Sequence, residues 1–256
     1  MIFRLINRIP VTALGIMAVL LVLWEAGVHI TGMPVWFLPP PSRVFTALVE
    51  MLPQLLDHSR YTLLAALTGL TAAVLVALVL AVVMAMSPRI RQGVYPLLVF
   101  SQTIPIITIA PLLIIWFGFG IMPKVVVVTL VCFFPVAVSM AEGMQAADAD
   151  MVKLLQVMGA SRWQTIKLIL IPAALPSFFA GLKIAGTYAM MGAVIGEWLG
   201  ASSGLGVFMT RASHAYQADS VFAAIMIISL ISLLLFALIE LISRLTIPWY
   251  YNERRK

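Results

Sequence analysis

Lys153-Leu-Leu-Gln-Val-Met-Gly159-Ala-Ser-Arg162, followed by Ile169-Leu-Ile-Pro172-Ala-Ala-Leu-Pro176, is the stretch that decides how this chain is read. The first part is short, mixed in polarity and broken by one glycine. The second is a proline-marked entry into a long apolar run. Asp148 and Asp150, just upstream, suit a helix N-terminus, where the backbone dipole favours negative charge. Val152, Leu155, Val157 and Met158 supply an apolar face, while Lys153, Gln156 and Arg162 are polar. Gly159 permits the left-handed turn that ends a helix, and Ser161 can cap the next one, with Trp163 and Ile166 on its buried side. The pattern predicts two short helices meeting at a tight corner, with Gly159, Ala160 and Ser161 at the tip. Small residues there let a partner's cleft close over the backbone. A loop that merely connects two apolar segments would look the same, and the residues alone leave both readings open.

The surroundings of the corner are those of a membrane protein. The chain has 256 residues, of which 62% are hydrophobic and 10% charged, against roughly 25% charged in soluble domains. One cysteine, Cys132, excludes an internal disulfide and reads as a buried, inert thiol. The net charge of +6 is scattered over segment ends rather than gathered in a basic run, which argues against a nucleic-acid partner. Phosphate-binding glycine loops, nucleophile elbows and zinc-ligand spacings are absent, so no cofactor is expected and energy must come from a partner.

A spanning helix needs about 20 mostly apolar residues. Six segments qualify: Thr12–Ile30, Tyr61–Met86, Gln92–Pro123, Lys124–Met140, Pro172–Trp198 and Ser220–Ile239. The first reads as an uncleaved anchor, since no small-residue cleavage site follows it. Pro39-Pro-Pro-Ser42 makes a stiff entry to a short surface helix through Val44, Leu48 and Leu52, with Ser42 as its cap. If the N-terminus is inside, 11 of the 16 basic residues fall on the cytoplasmic side and 4 outside, with Lys183 inside a span near the inner surface, where it would snorkel. The expected architecture is therefore an all-α integral membrane protein with six transmembrane helices and both termini cytoplasmic. The corner lies inside. The domains divide as an anchor and outer loop over 1–56, a transmembrane domain over 57–245 and a tail over 246–256.

Polar groups and broken helices are tolerated in a bilayer only against protein or a water-filled cavity. Gln102, Thr103 and Pro105 fall together in the proline-interrupted third segment, which is expected to bend, face the bundle interior and line a path. Gly181, Gly186 and Gly192 in the fifth segment can allow close helix contact. Glu197 at its far end either closes a gate on that path or sits at headgroup level beside Trp198. No ring of arginine or lysine is evident, which leans towards a neutral or aromatic solute.

The chain resembles the permeases of binding-protein-dependent ABC importers. Gly159, nine intervening residues, Ile169 and then Pro172 match the register of that family's cytoplasmic EAA loop, although Lys153, Leu154 and Leu155 replace the Glu-Ala-Ala that opens it. Gln102-Thr-Ile-Pro105, Ala110-Pro-Leu-Leu-Ile-Ile-Trp-Phe-Gly118, Phe133-Phe-Pro135, Gly181-Leu-Lys183 and Gly204-Leu-Gly206 resemble the nitrate, sulfonate and taurine branch. Gly192-Ala-Val-Ile-Gly196-Glu-Trp-Leu-Gly-Ala-Ser and Ile247-Pro-Trp are most similar to permeases for the pyrimidine precursor of thiamine.

The resemblance implies a type I importer fold in a bacterial inner membrane, with the corner as a coupling helix seated in an ATPase groove through Lys153, Met158, Gly159, Ala160, Ser161 and Arg162. It also implies a second permease copy, surrounding lipid, and a periplasmic or lipid-anchored binding protein that does most of the solute selection. The permease itself would not be an enzyme. Thiamine pyrimidine precursors or related heterocycles are the favoured solutes, with alkanesulfonate, taurine or nitrate as alternatives. A gradient-driven secondary transporter using Glu197 as a proton relay is the rival class. It would be expected to show two inverted halves, and the sequence has no such internal symmetry.

Overall fold

A chain this apolar can satisfy its backbone in lipid only by pairing it internally, and it does so entirely with helices among the described residues. The computed structural model describes residues 11–253; the basic residues counted above at positions 4, 8 and 254–256 lie outside them. The helices are α1 (Val11–Thr31), α2 (Pro41–Glu50), α3 (Leu52–Met86), α4 (Pro88–Ser101), α5 (Ile106–Phe117) and α6 (Ile121–Gln145). They continue with α7 (Ala149–Val157), α8 (Arg162–Thr165), a π-helical turn Ile166–Leu170, α9 (Ile171–Glu197), α10 (Leu205–His214), α11 (Ala218–Thr246) and α12 (Pro248–Glu253).

Among the described residues five helical stretches are long and apolar enough to cross a membrane: Thr12–Thr31, Leu52–Met86, Ile121–Gln145, Arg162–Glu197 and Ala218–Thr246. The third expected segment is not one rod. It is the pair α4 and α5, bent by 82° at residues 102–105, and it makes a sixth span when the two are taken together. The cause is local. Pro105 has no N–H to continue the ladder, and the residue before a proline avoids the helical region. Gln102 and Thr103 instead close the end of α4 with backbone bonds to Val99 and Phe100. The fifth expected segment also differs, because its helix starts ten residues early, at Arg162, and the π-helical turn lies directly ahead of Pro172. Such a turn absorbs the backbone bond that a proline leaves unmade.

The described residues form two compact units, one of residues 11–57 with 208–227 and the other of 58–207 with 228–253. In the first, α2 does not begin as expected. Pro40 is the N-cap residue and makes no side-chain cap bond, and Ser42 lies inside the first turn. The cap comes from far along the chain. The Glu25 carboxylate accepts from the Ser42 N–H at 3.0 Å and from its hydroxyl at 2.7 Å, while His29 lies 3.0 Å away. Negative charge at a helix N-terminus is favourable, and here it also ties α1 to α2. Arg43 pairs with Asp219 at 3.1 Å, and the Trp24 and Phe222 rings pack 5.5 Å apart in the same unit.

The second unit is organised by α6 against α9. Val128, Cys132, Val136 and Ala137 on α6 and Ala185, Ala189 and Ala193 on α9 are all fully buried in one core. Small side chains let two helices approach closely where lipid offers no hydrophobic drive. A Cβ at Gly192 would stand 3.2 Å from the Val128 Cα, a tight approach that the neighbour must yield to, and a Cβ at Gly181 would meet the Pro135 carbonyl. Gly186 faces elsewhere, against Ile239 of α11. Cys132 is buried and donates to the Ala185 carbonyl at 3.3 Å, consistent with an inert packing thiol. Lys183 does not snorkel freely. Its ammonium lies 2.7 Å from Glu240 on α11, whose other oxygen takes the Arg244 guanidinium at 2.7 Å. The Tyr251 hydroxyl of α12 closes the cluster at 3.3 Å from Glu240.

Candidate functional site

The corner forms as its sequence demands. The Asp148 carboxylate accepts from the Asp150 and Met151 N–H groups and starts α7. At the other end Gly159 adopts φ +82°, the Ala160 N–H reaches the Leu155 carbonyl at 3.0 Å, and the Gly159 N–H reaches that of Gln156 at 3.0 Å. These are the two bonds of a Schellman stop, with glycine at its left-handed position. Ser161 then opens α8 in a full capping box with Gln164. Both helix ends are satisfied within about a dozen residues, so the corner keeps its shape without help from a partner.

Its surface differs from the expected face. Val152 and Leu155 are half-buried, but Val157 and Met158 are 87% and 73% exposed. Trp163 is 57% exposed, because Thr165 and Ile166, not the indole, turn inward from α8. Met151 and Leu154 are also exposed, on α7. The tip is therefore an uncovered apolar surface on a rigid corner. Lys153 is exposed and meets only Asp150 at 3.4 Å, a surface pair of little energetic weight. Arg162 donates to the Ala85 carbonyl at 3.0 Å, in the last turn of α3, where a cation suits the helix dipole. That bond ties the corner to a spanning helix.

Gln102, Thr103 and Pro105 come together at the break between α4 and α5, as their spacing suggested, but all three are exposed instead of facing the interior of their own chain. The polar groups around the break bond locally: the Gln102 amide donates to the Ser101 hydroxyl at 3.3 Å, the Thr103 hydroxyl to the Phe100 carbonyl at 2.8 Å and that of Thr108 to the Pro105 carbonyl at 2.6 Å. Polar residues and a broken helix on an open face can serve as one wall of a path completed by another copy.

Glu197 stands apart from that break in its environment. It is 1% exposed, enclosed rather than open to a path or to headgroups. Three consecutive N–H groups at the start of α10 find distant acceptors: Gly204 on His58 Nδ1 at 3.1 Å, Leu205 on the Thr62 hydroxyl at 2.8 Å, and Gly206 on Glu197 Oε2 at 2.7 Å. These are the donors that a helix start leaves unpaired, here shared out among α3 and α9. Gly204, at φ +131°, has the Glu197 carboxylate directly where a Cβ would stand. Sequence reading identified Gly204-Leu-Gly206 only as wording and missed His58 and Thr62 altogether. Lys124, 9% exposed, reaches the Ser203 carbonyl of the same loop at 3.2 Å. Among the described residues no group of His, Cys, Asp and Glu is arranged to hold a metal ion.

Long apolar helices joined through a capped corner define a multi-pass membrane protein, and the sequence comparisons give its family. Residues 69–247 match the family described as the binding-protein-dependent transport system inner membrane component, and the chain belongs to that family. It is 37% identical over 231 residues to the formylaminopyrimidine transport permease protein ThiX of Halalkalibacterium halodurans, covering 90% of this chain and 92% of that protein. It is 34% identical to the riboflavin transport system permease protein RibX of Chloroflexus aurantiacus, over 96% of this chain and 94% of that one. Identity to the taurine transport system permease protein TauC of Escherichia coli is 30%, over 96% and 92%. A crystal structure of an amino acid ABC transporter superposes with a TM-score of 0.63 at 18% identity, covering 78% of this chain and 97% of that one, which shows the shared fold. The chain is thus an ABC importer permease with the type I fold, a multi-pass membrane protein and not an enzyme.

Proposed function

We propose that this permease moves a small heterocycle, of the kind represented by thiamine pyrimidine precursors, from a binding protein into the cytoplasm, driven by ATPase subunits that grip the corner at Gly159. The observation that carries the coupling assignment is the exposed apolar tip of Val157, Met158 and Trp163 on a corner whose own helix ends are fully capped. A pre-shaped, uncovered apolar surface of this size is what a partner's groove needs, because little ordering cost remains at docking. Lys153, Ala160, Ser161 and Arg162 frame it.

Two copies of the chain would enclose the path, with Gln102, Thr103 and Pro105 on the facing walls. The basic residues support a cytoplasmic corner and cytoplasmic termini, provided α4 and α5 together cross once. ATP binding would draw the two corners together and rock the half-paths from inward- to outward-facing. Arg162, bonded to the end of α3, passes that movement to a span. The heterocycle lean rests on the formylaminopyrimidine and riboflavin permeases among the relatives; the taurine relative keeps a sulfonate as the second reading.

Uptake into vesicles carrying the permease, its ATPase and its binding protein tests the driving force. Transport should be blocked by vanadate and indifferent to a protonophore. Collapse by the protonophore alone would instead favour the gradient-driven class. For the solute, a thermal-shift screen of the co-purifying binding protein against thiamine pyrimidine precursors, riboflavin, taurine and alkanesulfonates should give its largest stabilisation with a pyrimidine. A sulfonate as best ligand would overturn the heterocycle assignment and leave the importer standing.

A further inference from the structure

At the end of the second unit that carries the corner, a groove of about 180 Å³ opens between the last turn of α3, the first turn of α4, the end of α6 and Arg162. Its floor is apolar: Ala81, Met84, Ala141 and Met144 are all buried. Its wall carries two cations, Arg91 and Arg162, and no carboxylate is among the lining residues. Arg91 has no ionic partner among the described residues. It meets the face of Tyr95, with 5.6 Å between Cζ and the ring centroid, and its buried Nε has no hydrogen-bond partner. Arg162 spends one nitrogen on the Ala85 carbonyl and keeps its remaining donors. A second opening of about 360 Å³, lined by Pro88, Arg91, Gln92, Tyr95 and Pro96, shares Arg91 and Pro88 with the first.

A buried guanidinium nitrogen with nothing to donate to is costly, and the cost is removed by an anion. Two guanidiniums match a phosphate oxygen pair better than any ammonium would. At the mouth, Ala85, Pro88 and Leu170 are only partly covered or exposed, and this apolar rim adds a requirement that a free anion does not meet. We propose that this groove binds the phosphodiester of an anionic phospholipid, with the first carbons of its chains over the rim of Ala85, Pro88 and Leu170. Arg162 belongs both to this groove and to the corner, so an occupying lipid would brace the corner against α3 and α4. The proposal rests on the membrane character of the family and not on the transported solute or on ATP coupling, so uptake and lipid binding stand or fall separately.

Native mass spectrometry of the full chain, purified in detergent and titrated with phosphatidylglycerol, phosphatidylethanolamine or inorganic phosphate, tests it. Phosphatidylglycerol should be retained about tenfold more tightly than phosphatidylethanolamine, and Arg91→Gln or Arg162→Gln should each loosen it by about tenfold. Arg89→Gln, an exposed arginine outside the groove, should leave retention unchanged. Should Arg91→Gln fail to fold, Arg91→Lys keeps the charge, loses the planar fork, and should still loosen phosphatidylglycerol by about threefold. Equal retention of the two lipids, or undiminished retention in the foldable Arg91 variant, overturns the site. Displacement of phosphatidylglycerol by equimolar inorganic phosphate would mean a plain anion site and overturn the lipid assignment.

Discussion

Gly159 and Gly204 both hold a left-handed backbone, at φ +82° and +131°, yet their surroundings are opposite. Around Gly159 nothing lies within 4 Å of where a Cβ would stand, whereas at Gly204 that place is taken by the Glu197 carboxylate. The first glycine is required only for handedness, at a surface corner whose capping bonds are all local. The second is required for handedness and for room, where a helix start is pressed onto acceptors from α3 and α9. The corner at Gly159 is left open around its turn. A corner meant to hold the chain together is filled.

Substitution separates the two. Gly204→Ala must combine a strained φ with displacement of a carboxylate that is fixed by the Gly206 N–H, and should cost more than ~3 kcal/mol, seen as failure to recover folded protein or a large fall in Tm in detergent. A Tm close to that of the parent would mean that Glu197 swings away freely and that the cap is not structural. Glu240→Ala leaves Lys183 and Arg244 facing one another without their shared carboxylate. With Arg244 38% exposed, the expected loss is about 1–3 kcal/mol, read as a lower Tm. Gly159→Ala should cost roughly 1 kcal/mol, and Gly159→Asn only a few tenths, because asparagine accepts the left-handed region. Equal and large losses for both Gly159 variants would show that hidden contacts, and not handedness, constrain the turn.

The same contrast explains what was legible in the sequence. The corner could be read because Asp148, Gly159 and Ser161 act on backbone groups within five residues of themselves, whereas the reciprocal cap from Gln164 was not read. The spans were legible for a similar reason, since apolar length is a property of one segment. The bend at residues 102–105 followed from Pro105, but its exposed face did not, because exposure depends on how separate helices pack and not on the local residues. Glu197 was read as a gate or an interfacial residue, since its partner, the Gly206 N–H, is set by the packing of α10 against α9. Lys183 and Glu240, 57 residues apart, were invisible as a pair for that reason. Ser42 shows the local rule overridden: a serine beside prolines is a good cap candidate, and the Glu25 carboxylate, 17 residues back, took the place. Trp163 shows its reverse, since an indole expected to be buried is left uncovered on the corner.

That uncovered surface carries the central claim, that the corner at Gly159 is where the ATPase takes hold. The most direct measurement is co-purification of the ATPase subunit with the parent permease and with the Val157→Asp, Met158→Asp double variant, alongside solute uptake. Both side chains are mostly exposed and hold no part of the core, so membrane insertion and Tm should be unchanged. The account predicts that the ATPase no longer co-purifies and uptake is lost. Full co-purification with full uptake would contradict it and return the corner to a simple connection between α6 and α9.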